Sequence, residues 1–324
     1  TEGYAVLDAG KTLKGNVDFA NKAGTMILSN AVATKIEGDV VSTGGTNGTL
    51  MFVGAGQVTG DIGAQANKLN IVHIAGANEV KLDGDVFAND IQIANNAGVV
   101  TLGGNANATN IGFSDANAKL NVGNGTVTAA INGDVGDLGI LNITGKGAKI
   151  AGAIGGVDAV NKVTLAANAT ATFDGAINTA NGMILADGSE ATIGGNHRID
   201  GVINGDTAAN QGTIIFNGNS TVANAVGNAQ ALKKITAGAA GKTVKFSDTV
   251  ASEAFDVGEG NVEFEGNVET VLNFTGDGKI KFVTNDNTTL TGNVTTANDG
   301  QGKILIDGQS AIITGNIGAK GAGL

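Results

Sequence analysis

The chain contains no cysteine, no proline and no tryptophan, and its 324 residues include one tyrosine, one arginine and two histidines. Each absence closes off some chemistry. Without cysteine there is no disulfide, no thiolate nucleophile and no thiolate metal site, and a chain crossing an oxidising compartment cannot become cross-linked on the way. Without proline, no slow cis/trans isomerisation delays folding and no main-chain donor is missing from a strand ladder. No apolar run approaches the roughly 18 residues of a membrane-spanning helix, and no basic, apolar, small-residue leader opens the chain. A single Tyr4 and no tryptophan disfavour both sugar-stacking platforms and aromatic hot spots, so a binding surface here would be broad and weak per residue.

Positive charge is also scarce. The net charge is −11, with Arg198 the one arginine and the lysines scattered singly. A nucleic-acid groove or an anionic membrane surface would be repelled by such a chain. The acidic balance instead keeps a glycine- and asparagine-rich protein soluble and discourages lateral sticking.

What is present is a repeat. The pattern of an aliphatic residue, any residue, Gly, then Asn, Asp or Ala, then a second aliphatic residue recurs along the chain. It reads Leu13-Lys14-Gly15-Asn16-Val17, Ile36-Glu37-Gly38-Asp39-Val40, Val58-Thr59-Gly60-Asp61-Ile62, Ile150-Ala151-Gly152-Ala153-Ile154, Leu290-Thr291-Gly292-Asn293-Val294 and Ile313-Thr314-Gly315-Asn316-Ile317. Taking Gly15, Gly38, Gly60, Gly84, Gly104, Gly133, Gly152, Gly175, Gly195, Asn224, Ser247, Gly266, Gly292 and Gly315 as equivalent points gives a step of about 23 residues. Longer blocks also match one another, Gly48 to Gly63, Gly139 to Gly155, Gly212 to Gly227 and Gly302 to Gly318.

Within each repeat the apolar residues alternate with polar ones, as in Val80-Lys81-Leu82, Val244-Lys245-Phe246, Val262-Glu263-Phe264 and Ile280-Lys281-Phe282. A period of two belongs to half-buried strands. The 53 glycines make helix interiors costly, and they follow the strands, where they can supply corner conformations. Three short strands with one inward face cannot bury that face alone, so each copy needs a neighbour above and below. The expectation is an all-β right-handed parallel β-helix, a solenoid of roughly 14 rungs with about 23 residues per rung. At about 4.8 Å per rung it would be a rod of about 65 Å. With no linker or charge block, residues 1–324 read as a single domain. Because Thr1 is not an initiator methionine and the pattern is already running there, the chain reads as a piece of something longer.

The repeated blocks Gly212-Thr213-Ile214-Ile215-Phe216-Asn217-Gly218-Asn219-Ser220-Thr221-Val222 and Thr289-Leu290-Thr291-Gly292-Asn293-Val294 resemble the passenger domains of the rickettsial surface cell antigens. These are autotransporters of the outer membrane protein A and B type. The resemblance is a texture of repeats over essentially the whole chain, not a motif around a site. It implies a β-helical passenger segment that lacks its own signal peptide and translocator barrel. It further implies display at the bacterial cell surface, anchored at the outer membrane or released after processing, and a role in adhesion to and invasion of host cells. The implied partners are a host cell-surface protein and the full-length protein's own C-terminal barrel, with no nucleic acid and a monomeric chain.

Chemistry of its own is hard to find. A β-helical lyase or hydrolase needs carboxylates and a basic group converging on one strand face. The nearest approach is His197, Arg198 and Asp200, with Asp206 close in sequence, which reads as a polar turn between rungs because no reaction requires that spacing. His73 alternates with apolar neighbours and reads as an ordinary strand residue; two histidines so far apart make no metal-ligand spacing. The glycine runs at Gly44-Gly45 and Gly155-Gly156 lack a phosphate-binding ending, the calcium-binding nonapeptide is missing, and no serine-protease motif occurs. No catalytic, cofactor-binding or metal-binding residue is therefore assigned, no cofactor is expected, and the chain reads as a non-enzyme. The acidic stretch Glu253, Asp256, Glu259, Glu263, Glu265 and Glu269 reads as a solvated face, with Lys245 stacked beside Glu263. Asn16, Asn267, Asn293 and Asn316, each after a corner glycine, suit side-chain amide ladders or a left-handed turn.

Overall fold

The computed structural model describes residues 3–29, 32–94, 98–283, 288–318 and 322–324. They contain strands, turns and irregular segments, and no helix. The chain divides into two compact units, Thr1–Val163 and Thr164–Leu324. In each, parallel strands stack as a β-solenoid, with about 14 turns in all and successive turns about 21 residues apart.

In the first unit, one sheet is built from Tyr4–Leu7, Thr25–Leu28, Asn47–Phe52, Leu69–Ile74, Val86–Ile93, Ala106–Phe113 and Thr126–Gly133, each strand paired in parallel with the next turn. A second sheet runs through Thr12–Lys14, Thr34–Glu37, Gly56–Val58, Glu79–Leu82, Val99–Leu102, Lys119–Val122 and Leu138–Ile143. In the second unit, the corresponding main sheet includes Thr170–Phe173, Glu190–Ile193, Gln211–Phe216, Leu232–Ala237, Val250–Val257 and Val268–Phe274. Its companion is built from Ile177–Asn178, His197–Asp200, Ser220–Val222, Thr243–Phe246, Asn261–Phe264, Lys279–Phe282 and Lys303–Ile306.

Alternation decides which side chains enter the core. In Thr243–Phe246, Val244 and Phe246 are buried while Lys245 faces out, and the same holds for Asn261–Phe264 and Lys279–Phe282. Because the pairing is parallel and in register, like residues lie over like. Phe246 stacks on Phe264 with ring centroids 5.6 Å apart, and Phe264 on Phe282 at 6.0 Å. Phe216 and Phe255, from the main sheet, meet this column edge to face. Offset and edge-to-face rings contribute about 0.5–1.5 kcal/mol per pair beyond burial.

The turn spacing is shorter than the 23 residues expected, for two reasons. First, the turns differ in length: Lys245 pairs with Glu263 and Glu263 with Lys281, 18 residues apart each time, whereas Thr25 pairs with Thr49. Second, glycine marks more than one corner of a turn. Gly195 lies under Gly218, where a Cβ on Gly218 would collide with the Gly195 carbonyl, while Asn224 belongs to the corner of Gly201 and accepts that residue's N–H at 2.8 Å. A step from Gly195 to Asn224 therefore changes corners. Similarly, Ala106 pairs with Val127, so the corner of Gly84 and Gly104 continues at Gly125; Gly133 instead pairs with Phe113. This sets the register of the described residues between Gly84 and Gly133, where the repeat is faintest in sequence.

At Gly60, Gly84 and Gly104 the backbone is not left-handed. Glycine is required there by close approach instead. A Cβ on Gly84 would stand 2.5 Å from the Gly60 carbonyl oxygen, and one on Gly104 would stand 2.7 Å from that of Gly84. The residue after each corner glycine supplies a bond between turns. The Asn16 side-chain oxygen accepts the Asp39 N–H at 2.8 Å, Asp39 accepts from Asp61 at 3.0 Å, Asp61 from Asp85 at 2.8 Å and Asp85 from Asn105 at 2.8 Å. Asn105 then accepts the Thr126 N–H at 2.9 Å. Asn267 and Asn293 do the same for Thr289 and Asn316. These corner asparagines bond main chain, not the neighbouring amide, because the corner leaves an N–H of the next turn pointing at them. Amide-to-amide bonds do occur on a sheet face, where Asn142 donates to Asn121 at 2.8 Å.

Phe264→Ala should cost about 3–5 kcal/mol in urea unfolding and Lys245→Ala less than about 1. Equal costs would contradict the inward and outward assignment. Asp85→Ala should cost about 1–2 kcal/mol, while Asp85→Asn, which keeps the accepting oxygen, should recover most of it.

Candidate functional site

His197, Arg198 and Asp200 form a strand, not the polar turn expected from sequence. Each turn contributes a short strand here, and His197-Arg198-Ile199 pairs with Ser220-Thr221-Val222. Arg198 and Asp200 are two residues apart and so share the outer face. The guanidinium Nη2 lies 2.8 Å from Asp200 Oδ1, and Nε bonds both carboxylate oxygens at 2.9 Å. Bonding to Asp200 raises the Arg198 pKa above its ordinary value. The pair is thus committed to itself, which removes the carboxylate that an acid/base role would need.

An open groove of about 490 Å³ runs over this face, lined by His197, Arg198, Thr221, Thr243, Lys245 and Glu263 among others. Glu263 is the one carboxylate in its lining, and Asp206, on the exposed loop after Ile203–Gly205, does not reach it. Among the described residues no group of three or more His, Asp or Glu side chains gathers to hold a metal ion.

Two carboxylates of the acidic stretch, Asp256 and Glu265, are paired with lysines from neighbouring turns. Lys245 stands in register with Glu263 as expected, yet its ammonium bonds Glu265 at 2.8 Å. Glu265 is two residues further on, within reach of the long lysine stem. Asp256 pairs with Lys234 at 2.6 Å, and Lys281, in register with Glu263 on the other side, bonds Asp307 at 2.7 Å. That bond, with Glu263 contributing, raises the Lys281 pKa. Such solvent-screened pairs contribute little to stability, and they offset part of the negative charge of this face.

His73 lies on the outer face of Leu69–Ile74, half-buried, between Met51 and Gln92 of the adjoining turns. Burial lowers its pKa. Elsewhere on the surface, Asp18 is held low by the N–H groups of Ala20 and Thr43 and the Thr43 hydroxyl, Glu37 by Lys35, and Asp277 by Lys303.

These features define a repeat protein whose outer surface is made of strand faces and loops, with the groove at His197 open and lined by charges of both signs. The chain is similar to Outer membrane protein A of Rickettsia rickettsii, with 30% identity over 253 residues. The match covers 73% of this chain and 10% of that protein, so the chain spans about a tenth of the length of the curated relative it matches. No family model matches, and neither does any solved structure.

Acidification should destabilise the protein in two windows. A group whose folded pKa is depressed contributes stability above its unfolded pKa, and that stability is lost as pH falls through the folded value. For His73 the loss begins below the ordinary imidazole value of about 6.5, and for Asp18, Glu37 and Asp277 below about 4. Melting temperature against pH should show both, and His73→Gln should flatten the upper one alone.

Proposed function

We propose that this chain is a surface-exposed passenger segment of a bacterial outer-membrane autotransporter. It acts as an adhesin or invasin, contacting a host cell-surface protein through its outer faces and loops. The observation that carries the reading is the similarity to Outer membrane protein A over 253 residues, together with a solenoid that places strand faces and corner loops outward. In that setting the segment crosses the outer membrane by way of the full-length protein's C-terminal barrel, is presented at the cell surface and is either anchored at the outer membrane or released after processing. The lack of cysteine suits passage through an oxidising periplasm.

The physical demands agree with this role. A parallel solenoid places its stability in contacts between successive turns, so loops on its corners can vary without disturbing the core. A non-enzymatic role is supported by the groove at His197, whose lining offers one carboxylate, Glu263, where glycoside cleavage by the usual route needs two.

The test is binding of the purified monomeric protein to intact mammalian cells, with a polysaccharide-cleavage assay on the same sample. Saturable, competable binding without cleavage is expected. Cleavage without binding would replace the reading with a carbohydrate-active enzyme, and neither would reduce the segment to a spacer.

A further inference from the structure

The sequence block that closes at Gly155 recurs at Gly227, and the loops around it share two bonds to main-chain N–H groups, although the loop from Gly205 to Gly212 is one residue longer than that from Gly133 to Gly139. In the first unit the Asn132 side-chain oxygen accepts the Val157 N–H at 3.1 Å, and the Gly133 N–H donates to the Asp158 carbonyl at 3.3 Å. In the second unit the Asn204 oxygen accepts the Ala229 N–H at 3.1 Å, and the Gly205 N–H donates to the Gln230 carbonyl at 2.9 Å. The two loop pairs share a backbone device and differ in what they display. Where the second unit shows Thr207 and Ala229, the first shows Val135 and Val157.

Those two valines are 75% and 82% exposed in a chain that buries most of its valines. They stand on neighbouring loops, since the Gly133 to Asp158 bond ties one to the other. Asp137, at φ 60, and Gly136, at φ 38, turn the backbone immediately after Val135. The two shared bonds do not need valine at either place, since the second unit makes them with Thr207 and Ala229 there. Around the valines lie Asp134, Asp137 and Asp158, with Asp115 on the preceding loop, whose Ser114 donates to Asp134. Residues 114–118, 134–137 and 155–159 contain no lysine, arginine or histidine; Lys119 and Lys162 belong to the strands that follow.

We propose that this loop pair of the first unit is the contact patch for a partner protein surface that presents an aliphatic side chain framed by lysine or arginine. The inference rests on the adhesive reading above and gives it a location and a partner chemistry. Exposed valines gain from desolvation against an aliphatic group, and the ring of aspartates selects a basic surround and repels an acidic one. An anionic lipid surface and a second copy of this acidic chain are disfavoured by the same charges.

The test uses the whole chain with the double variants Val135→Thr plus Val157→Ala and Asp137→Asn plus Asp158→Gln. The first pair and the Asp158 replacement are residues that the second unit carries at the matching places, so unfolding profiles should match the parent. The probes are the peptides KKLLKK, KKSSKK and EELLEE displayed on a sensor surface, phosphatidylcholine vesicles, and intact mammalian cells. Retention of the parent on KKLLKK alone is expected, weakened by salt, with a loss of about tenfold in each double variant. Failure of the parent to take KKLLKK, equal retention of the valine variant, or valine-dependent capture by the vesicles would each overturn the patch. Saturable cell binding that survives the valine substitutions would overturn the patch and leave the adhesive reading standing. Peptide retention as expected with no cell binding would do the reverse.

Discussion

The parallel, in-register ladder between successive turns is the constraint from which the rest follows. Once Val244 pairs with Val262 and Val262 with Ile280, every neighbour on those strands is committed to a column, inward or outward. The core becomes stacks of like side chains, of which the phenylalanine column from Phe246 to Phe282 is the clearest. Each turn is too short to bury its own inward face, so the ladder and the core form together. The corner side chains extend the ladder where the strands stop: Asp39, Asp61 and Asp85 each accept an N–H from the turn that follows.

Columns also govern the surface. Outward residues meet their counterparts at strand spacing, so single charges scattered in sequence become pairs between turns, as Lys234 with Asp256 and Lys281 with Asp307. Such pairs offset part of the chain's acidic excess, and within the acidic stretch near Glu263 they engage Asp256 and Glu265. The proposed contact patch lies instead on loops, whose side chains leave the columns of the ladder. The loops after Gly133 and Gly155 keep their backbone bonds while presenting two valines and an acidic surround, which separates holding the loop from what the loop displays.

Much of this was legible in the residues. Alternation in Val244-Lys245-Phe246 was enough to assign burial, and matching it to Val262-Glu263-Phe264 was enough to place Lys245 beside Glu263. The corner register was harder, because glycine serves two corners of a turn for two reasons, left-handed backbone at Gly201 and close approach of the turn beneath at Gly84. The stretch at His197 looked like a turn since its polar residues outnumber its one aliphatic, Ile199, yet pairing with Ser220 to Val222 makes it a strand. The candidate patch has no sequence signal of its own: Val135 and Val157 resemble any other valine until their burial is known.

The sequence by itself determined the architecture, a stacked parallel solenoid, because period-two alternation within a repeat too short to fold alone admits few other solutions. It also determined the chemistry that is excluded, since missing side chains cannot be supplied by folding. Only the tertiary structure decided the spacing of the turns, the ion-pair partners and the outward valines. These depend on which residue of one turn lies over which residue of the next, a relation between segments some 17 to 24 residues apart that varies with loop length and that no local pattern records.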